Sequence, residues 1–175
     1  MRGTRFWGMV IVLAGVLASP LRGAILVEDF EDGGAGGFDP AFNHQLLPVP
    51  PSTEAYWELD GAVLWLYPAI DEVTFNLAPG QHVEWASVTL VDYDPGGSIT
   101  GVEFIGTAGS VTFPAVQVGV EETYDTTGLN LGEIQMIRLA SYEGWFDDLT
   151  IDVVPEPASL LLLALGGLAL LRRRR

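Results

Sequence analysis

The chain has 175 residues, 49% of them hydrophobic and 18% charged, and its formal net charge at pH 7 is −15. Such an acidic surface repels phosphate backbones, so nucleic acid is excluded as a partner. The sequence contains no cysteine, which excludes a disulfide framework and thiol chemistry and leaves packing or a bound metal to stabilise the fold.

Residues 1–24 have the parts of a secretory signal peptide. Two arginines lie at the start, an apolar stretch follows from Phe6 to Ala18, and small residues lie near the cleavage points. Cleavage after Ala18 satisfies the small-residue rule, whereas cleavage after Ala24 would put Arg22 at an unfavoured position; both sites stay open. An uncleaved anchor is the alternative, which the short apolar run disfavours. We therefore predict an exported protein.

Residues 25–154 are predicted to form one all-β domain, a single β-sandwich. Short runs rich in Val, Ile, Thr and aromatic residues are separated by turn residues, and no amphipathic helix interrupts them. Many short strands at this spacing indicate a sandwich or barrel rather than an α/β fold. The predicted strands are Ile25–Phe30, Tyr56–Asp60, Ala62–Tyr67, Glu72–Leu77, His82–Asp92, Ile99–Ile105, Ser110–Phe113, Ala115–Val120, Glu133–Ala140 and Trp145–Val154.

The charge of this segment is one-sided, because it contains 22 acidic residues and one arginine, a net charge of −21. Such a surface attracts cations, and solubility in a salty exterior is its simplest explanation.

A long stretch, residues 32–53, is rich first in glycine and then in proline. It exceeds ordinary connections in length, so we interpret it as a functional or mobile loop that caps one end of the sandwich. His44 lies within this loop and His82 begins a strand. Neither has metal-ligand spacing, so both histidines are predicted to be solvated.

The aromatic residues admit two interpretations, core packing and a stacking platform for sugar rings. Trp65 and Trp85 each alternate with apolar residues, which favours burial of both. Other aromatic residues lie next to turns and acids, and these are the candidates for glycan contact: Trp57, Tyr93 and Tyr142.

The end of the chain, residues 155–175, has three consecutive parts. Pro155, Glu156 and Pro157 come first, and an uncharged run of fourteen residues follows from Ala158 to Leu171. That run is shorter than the about 20 residues that a bilayer requires, but arginine side chains reach the headgroups and the bilayer thins locally. We predict a short transmembrane helix whose membrane stop, on the cytoplasmic side, is Arg172, Arg173, Arg174 and Arg175.

This tail resembles the PEP-CTERM sorting signal, through Val154-Pro155-Glu156-Pro157, a nearby serine, the Leu-rich run with Gly166-Gly167 and the final arginines. The resemblance implies that an exosortase-type membrane protease recognises Pro155, Glu156 and Pro157. It also implies a protein that is membrane-anchored before processing and then lies at the cell surface or outside the cell. A stiff proline-rich spacer is the alternative interpretation of the motif.

A second resemblance involves both ends of the predicted domain. The stretches Val27 to Gly33 and Gly144 to Ile151 resemble the first and last strands of galactose-binding-like jelly rolls. The resemblance implies a jelly-roll-like sandwich whose terminal strands lie side by side. It also implies that Glu28, Glu31 and Asp148 hold a structural calcium ion, the one cofactor we predict. The alternative is that these acids face solvent on edge strands.

Three function classes follow. The first is a non-enzymatic surface or matrix protein, which the sorting resemblance ties to bacteria that make exopolysaccharide. The second is a carbohydrate-binding module with exopolysaccharide as its partner. The third is a small secreted glycan hydrolase, for which acidic pairs are numerous but no catalytic motif is present. We predict the first.

Overall fold

A computed structural model describes residues 23–30, 38–49, 55–59, 63–93, 101–115, 119–141 and 143–156. Within these ranges the chain forms β-strands and no helix, which confirms the all-β prediction. The strands are β1 (Ala24–Glu28), β2 (Phe42–Pro48), β3 (Tyr56–Leu59), β4 (Leu64–Tyr67), β5 (Ala69–Phe75), β6 (Gln81–Tyr93), β7 (Gly101–Gly106), β8 (Gly109–Pro114), β9 (Glu122–Asp125), β10 (Ile134–Ser141) and β11 (Gly144–Pro155).

The described part of the chain includes no helix that is long and apolar enough to cross a bilayer. The predicted signal peptide and the predicted terminal transmembrane helix lie outside the described residues.

Two antiparallel layers make up the sandwich. In the first layer β11 pairs with β6 on one side and with β4 and β1 on the other, while β3 pairs with β4 and β9 with β6. The second layer has the order β2, β5, β10, β7, β8. A pairing of Ile134 with Val83 joins β10 to β6, so both layers belong to one curled sheet. This arrangement confirms the predicted single, jelly-roll-like β-sandwich.

Alternation along the strands separates the core from the outer faces. Leu64 and Leu66 on β4 are fully buried, and so are Ile137 and Leu139 on β10. One core cluster joins these side chains from both layers, which shows that the layers pack face to face. The largest fully buried side chains include Phe30, Phe104, Phe146, Leu90, Leu149 and Ile151.

Arg138, the one arginine of residues 25–154, lies on the outer face of the second layer. Its Nη2 atom donates to Glu72 Oε1 on β5 at 2.7 Å, and its Nη1 atom donates to Glu103 Oε2 on β7 at 2.6 Å. The guanidinium therefore ties three neighbouring strands together and separates two carboxylates that would otherwise repel each other.

Two strands lie where the sequence analysis predicted none. β2 lies within residues 32–53, which were predicted to be a functional or mobile loop, and it pairs with β5 along all seven of its residues, so the loop prediction is wrong for this part. β9 lies after the predicted strand Ala115–Val120, whose described residues are outside any strand. β9 is mainly polar and β2 is a mixture of polar and apolar residues, and both pair with a strand that is distant in the sequence, which local β-propensity does not report.

Truncation of one core side chain should destabilise the fold strongly. Phe146→Ala removes a fully buried ring at the centre of β11 and should lower the free energy of unfolding by about 3–5 kcal/mol. Ile25→Ala is the matched control, because Ile25 is 57% exposed and exposed substitutions change stability by about 0.5 kcal/mol or less. Urea unfolding of the full chain in detergent, followed by tryptophan fluorescence, measures both. Equal effects of the two substitutions would contradict the assigned core.

Candidate functional site

Four aromatic rings from three neighbouring strands cluster on the outer face of the first layer, and we call this cluster the aromatic face. Tyr56 lies on β3, Trp65 and Tyr67 on β4, and Trp145 on β11. The register places Trp65 opposite Trp145 and Tyr67 opposite Tyr56. The Trp65 and Trp145 rings are stacked at 6.2 Å between centroids, and the Tyr56 ring meets Trp65 edge-on at 5.5 Å.

The position of Trp65 corrects the sequence analysis. Leu64 and Leu66 point into the core, so the alternating Trp65 and Tyr67 point outward and are only partly buried. Trp85 is also partly exposed, and its Nε1 atom donates to Thr127 Oγ1 at 3.0 Å. The predicted burial of both tryptophans is therefore wrong. Alternation shows which residues share a face of a strand, but it does not show which face meets the core.

A carboxylate borders the aromatic face. Tyr56 is 48% exposed, and its hydroxyl donates to Glu58 Oε2 at 2.9 Å. This hydrogen bond, and then the charge of Glu58, raise the pKa of Tyr56. Flat rings beside a hydrogen-bonding carboxylate can hold a ligand that has an apolar face and polar edges.

The structure describes the three residues predicted to contact a glycan only in part. Trp57 lies opposite Leu66 on β3 and Tyr93 lies opposite Gly144 on β6, but both side chains are outside the described part of the structure. Tyr142 lies outside the described residues altogether. Glycan contact by Trp57, Tyr93 and Tyr142 stays a prediction.

The terminal strands β1 and β11 lie side by side, as the jelly-roll resemblance implies, with Glu28 opposite Leu149. Glu28 is 4% exposed, so it does not face solvent. Its Oε1 atom accepts the backbone N–H of Phe30 at 3.2 Å, and its Oε2 atom accepts that of Asp39 at 2.6 Å. Burial raises the pKa of Glu28, and the two backbone hydrogen bonds oppose that rise.

Within the described residues, the structure does not bring the other two predicted calcium ligands together with Glu28. Asp148 is exposed on a bulge of β11 with a φ of 45°, and Glu31 lies outside the described residues. Among the residues that the structure describes, no three His, Asp or Glu side chains form a group suited to a metal ion. The structural calcium ion stays a prediction.

Acidic residues do gather at the bulge of β11, around Asp147. Desolvation raises the pKa of Asp147 first of all, and the charges of Asp148, Asp29 and Glu121 raise it further. The backbone N–H of Asp148 donates to Asp147 Oδ1 at 2.7 Å, which opposes the rise. Like charges therefore meet where β1, β9 and β11 come together.

The predicted sorting motif begins inside the sandwich. Pro155 is the last residue of β11 and lies opposite Gln81 on β6. The backbone N–H of Glu156 donates to the carbonyl of Gly80 at 2.7 Å, in the turn that joins β5 to β6. Pro157 and the four terminal arginines lie outside the described residues. The first half of the motif is therefore held as a continuation of the sheet.

The predicted solvation of the histidines is wrong for His44. It lies on β2, its side chain is 7% exposed, and its Nδ1 atom lies 2.5 Å from Asp71 Oδ2. His82, the second residue of β6, is partly buried. The error for His44 follows from the unpredicted strand β2, since pairing with β5 turns the imidazole inward.

One region of the chain matches a known protein family. Residues 153–175 match the PEP-CTERM protein-sorting motif, which confirms the resemblance found in the sequence. No curated protein sequence matches the chain.

Among solved structures, the fold is similar to carbohydrate-binding modules of family 29. A CBM29-2 mutant complexed with cellulohexaose shares 8% identity, covering 78% of this chain and 94% of that one, with a TM-score of 0.49. Another structure, described as a carbohydrate-binding module of family 29, shares 6% identity over 76% and 91% of the two chains, with a TM-score of 0.47. Likeness at this level carries neither ligand nor site over to the present chain.

The acidic bulge predicts a pH-dependent effect of Asp147→Asn. Because the pKa of Asp147 in the folded state is raised above its ordinary value of 3.8, its contribution to stability is fully present below that value and is lost as pH rises through the folded pKa. The asparagine variant should therefore melt at a higher temperature than the wild type at pH 7, and the difference should vanish below pH 3.8. Thermal unfolding at both pH values measures this.

Glu84→Gln, an exposed carboxylate on β6, is the charge-matched control for that experiment. A variant at Asp147 that is no more stable than this control at pH 7, or whose advantage persists in acid, would contradict the like-charge account.

Proposed function

We propose that this chain, which carries a PEP-CTERM sorting motif over residues 153–175, is an exported, non-enzymatic surface protein. An exosortase-type membrane protease reads Pro155, Glu156 and Pro157 while the following apolar run holds the protein in the membrane. Processing then delivers the sandwich to the cell surface or the exterior. The observation that carries this proposal is the motif match, and the signal-peptide pattern of residues 1–24 supports export.

The pairing of the sorting motif with β6 constrains its processing by the protease. A protease that binds an extended substrate pairs with the backbone groups of that substrate. In the folded protein Pro155 is paired with Gln81, and the Glu156 N–H is bonded to Gly80. The protease must therefore release the end of β11 from β6 before it binds the motif. Each backbone hydrogen bond contributes about 0.5–1.5 kcal/mol, so release costs about 1–2 kcal/mol.

A spacer tests this constraint. Insertion of Gly-Ser-Gly-Ser between Val154 and Pro155 frees the motif from β6 and should raise the processing rate by about 5–30-fold, the factor that one or two kcal/mol represents. The measurement is the conversion of full-length chain in membranes that contain the exosortase. The matched control carries the same spacer after Pro157, which lengthens the tail but leaves the motif paired.

Two results would contradict parts of this account. An equal gain from both spacers would show that distance from the membrane, and not pairing with β6, limits the reaction. Unchanged processing of Glu156→Ala would contradict recognition of the motif itself, because that substitution leaves the proline residues and the apolar run intact.

A second function, glycan binding, is favoured by the aromatic face. Its partly exposed rings and the Glu58 carboxylate suit a sugar, whose C–H face stacks on aromatic rings while its hydroxyl groups donate to acids. The face lies near the start of β11 and the sorting motif lies at its end. Ten residues of strand separate Trp145 from Pro155, a distance of about 30 Å. A chain held at the membrane by its tail would present this face away from the bilayer, towards exopolysaccharide.

Glycan-array binding of the full chain tests this second function. Tyr56→Ala and Trp65→Ala should each weaken glycan binding by about tenfold or more, since one stacked ring contributes on the order of 1.5 kcal/mol beyond buried area. Val27→Ala is the control, because Val27 is 43% exposed on β1 of the same layer. The proposal would be contradicted if the full chain bound none of the arrayed glycans, or if the Tyr56, Trp65 and Val27 variants bound equally well.

A further inference from the structure

The aromatic face lies in a strongly acidic domain that has a single permanent positive charge. Residues 25–154 contain 22 acidic residues and one basic residue, Arg138. Arg138 lies on the outer face of the second layer, where its guanidinium donates to two carboxylates. The two histidines are also remote from the aromatic face, because His44 lies on β2 of the second layer and His82 lies opposite Val154, near the other end of β11. No cation of this segment therefore borders the rings.

One carboxylate lies within the aromatic face. Glu58 of β3 is exposed and lies directly opposite Trp65 of β4, which in turn lies opposite Trp145 of β11. Directly opposite residues of an antiparallel pair share one face of the sheet, with Cβ atoms about 4.5–5.5 Å apart. The Tyr56 hydroxyl donates to Glu58 Oε2 at 2.9 Å and holds the carboxylate beside the rings. A carboxylate and two indole rings therefore form one row across three strands.

This combination of groups selects a ligand by its charge. The faces of indole and phenol rings attract cations through their quadrupoles, and an ionised carboxylate accepts hydrogen bonds but donates none. A primary ammonium group suits both, since its N–H groups donate to Glu58 in charge-assisted hydrogen bonds. A quaternary ammonium group has no N–H to donate. Phosphate, sulfate and uronate groups are repelled by Glu58 and by the acidic domain around it.

We propose that the aromatic face binds a glycan that carries protonated amino groups, as in a chain of glucosamine units. The ammonium group of one unit donates to Glu58, and the C–H face of a sugar ring stacks on the exposed part of the aromatic rings. This inference rests on the glycan binding proposed above and deepens it, because it names the charge and the functional group of the ligand.

Ammonium groups also occur on ethanolamine lipids, but the position of the aromatic face favours a glycan. Trp145 lies at the start of β11, whereas the sorting motif and the apolar run that follows it begin at the other end of this strand. A strand rises about 3.3 Å per residue, so the rings lie about 30 Å from the point where the chain leaves the sheet. The rings are therefore far from the bilayer that holds the tail.

Calorimetric titration of the full chain in non-ionic detergent micelles tests the proposal with two matched ligands. One is the pentamer of glucosamine, and the other is the pentamer of N-acetylglucosamine, in which acetylation removes the charge and keeps the rings and linkages. At about pH 6, where free amino groups are protonated, the glucosamine pentamer should bind about tenfold more tightly than the acetylated one. An increase in salt from about 0.05 M to about 0.5 M should reduce this preference, because ions screen exposed charges.

Two variants that each remove one negative charge separate the site from a general attraction of cations to an acidic protein. Glu58→Gln keeps the size of the side chain and should reduce the preference for the glucosamine pentamer by about threefold or more. Glu84→Gln is the matched control, because Glu84 is exposed on β6 near the end that pairs with the last residues of β11. It should leave the preference nearly unchanged.

The proposal is overturned if the acetylated pentamer binds as tightly as the glucosamine pentamer, if neither pentamer binds, or if the Glu58 and Glu84 variants lose the preference equally. Binding to phosphatidylethanolamine vesicles without binding to the glucosamine pentamer would assign the face to a lipid and also overturn it.

The result separates this inference from the function on which it rests. Equal binding of both pentamers that is lost in Trp65→Ala would refute the amino-group preference alone and leave glycan binding intact. If neither pentamer binds and the full chain also binds no glycan on the array, both proposals fail.

Discussion

Twelve residues of β11 run beside β6, from Gly144 at one end to Pro155 at the other, and the rest of the sandwich depends on this pairing. Phe146, Ile151 and Val153 contribute its inner face to the core. The opposite edge of β11 carries β4 at one end and β1 at the other. The same strand therefore supports the aromatic face at its start and the first residues of the sorting motif at its end.

Two charged side chains of the sandwich bond to several partners within it. The Glu28 carboxylate accepts hydrogen bonds from two backbone N–H groups, and the Arg138 guanidinium pairs with two carboxylates on neighbouring strands. Other polar atoms are buried and have no hydrogen-bond partner in the described ranges, namely His44 Nε2, Trp65 Nε1, Asp71 Oδ1, His82 Nδ1, Ser141 Oγ and Asp152 Oδ1. Natural interiors tolerate such atoms mainly where a ligand or water completes them.

The sequence could predict the features that depend on local pattern. Long apolar alternation located β6, β10 and β11, and the order of prolines, apolar run and arginines identified the sorting motif. It could not predict β2, which pairs with β5, a strand that lies about 27 residues further along the chain. Nor could it decide that Leu64 and not Trp65 meets the core, since both alternate equally well along β4. The inward position of His44 depends on the first of these, the pairing of β2 with β5.

The central claim is that the sandwich continues into the motif, and the amide of Glu156 reports on it most directly. Hydrogen exchange of the full chain, resolved to single amides by NMR, compares Glu156 with Val153 and with a peptide of the same local sequence. The hydrogen bond from Glu156 to the Gly80 carbonyl predicts protection well above the peptide, within about one to two orders of magnitude of Val153. Exchange of Glu156 at the rate of the free peptide, with Val153 still protected, would contradict the account.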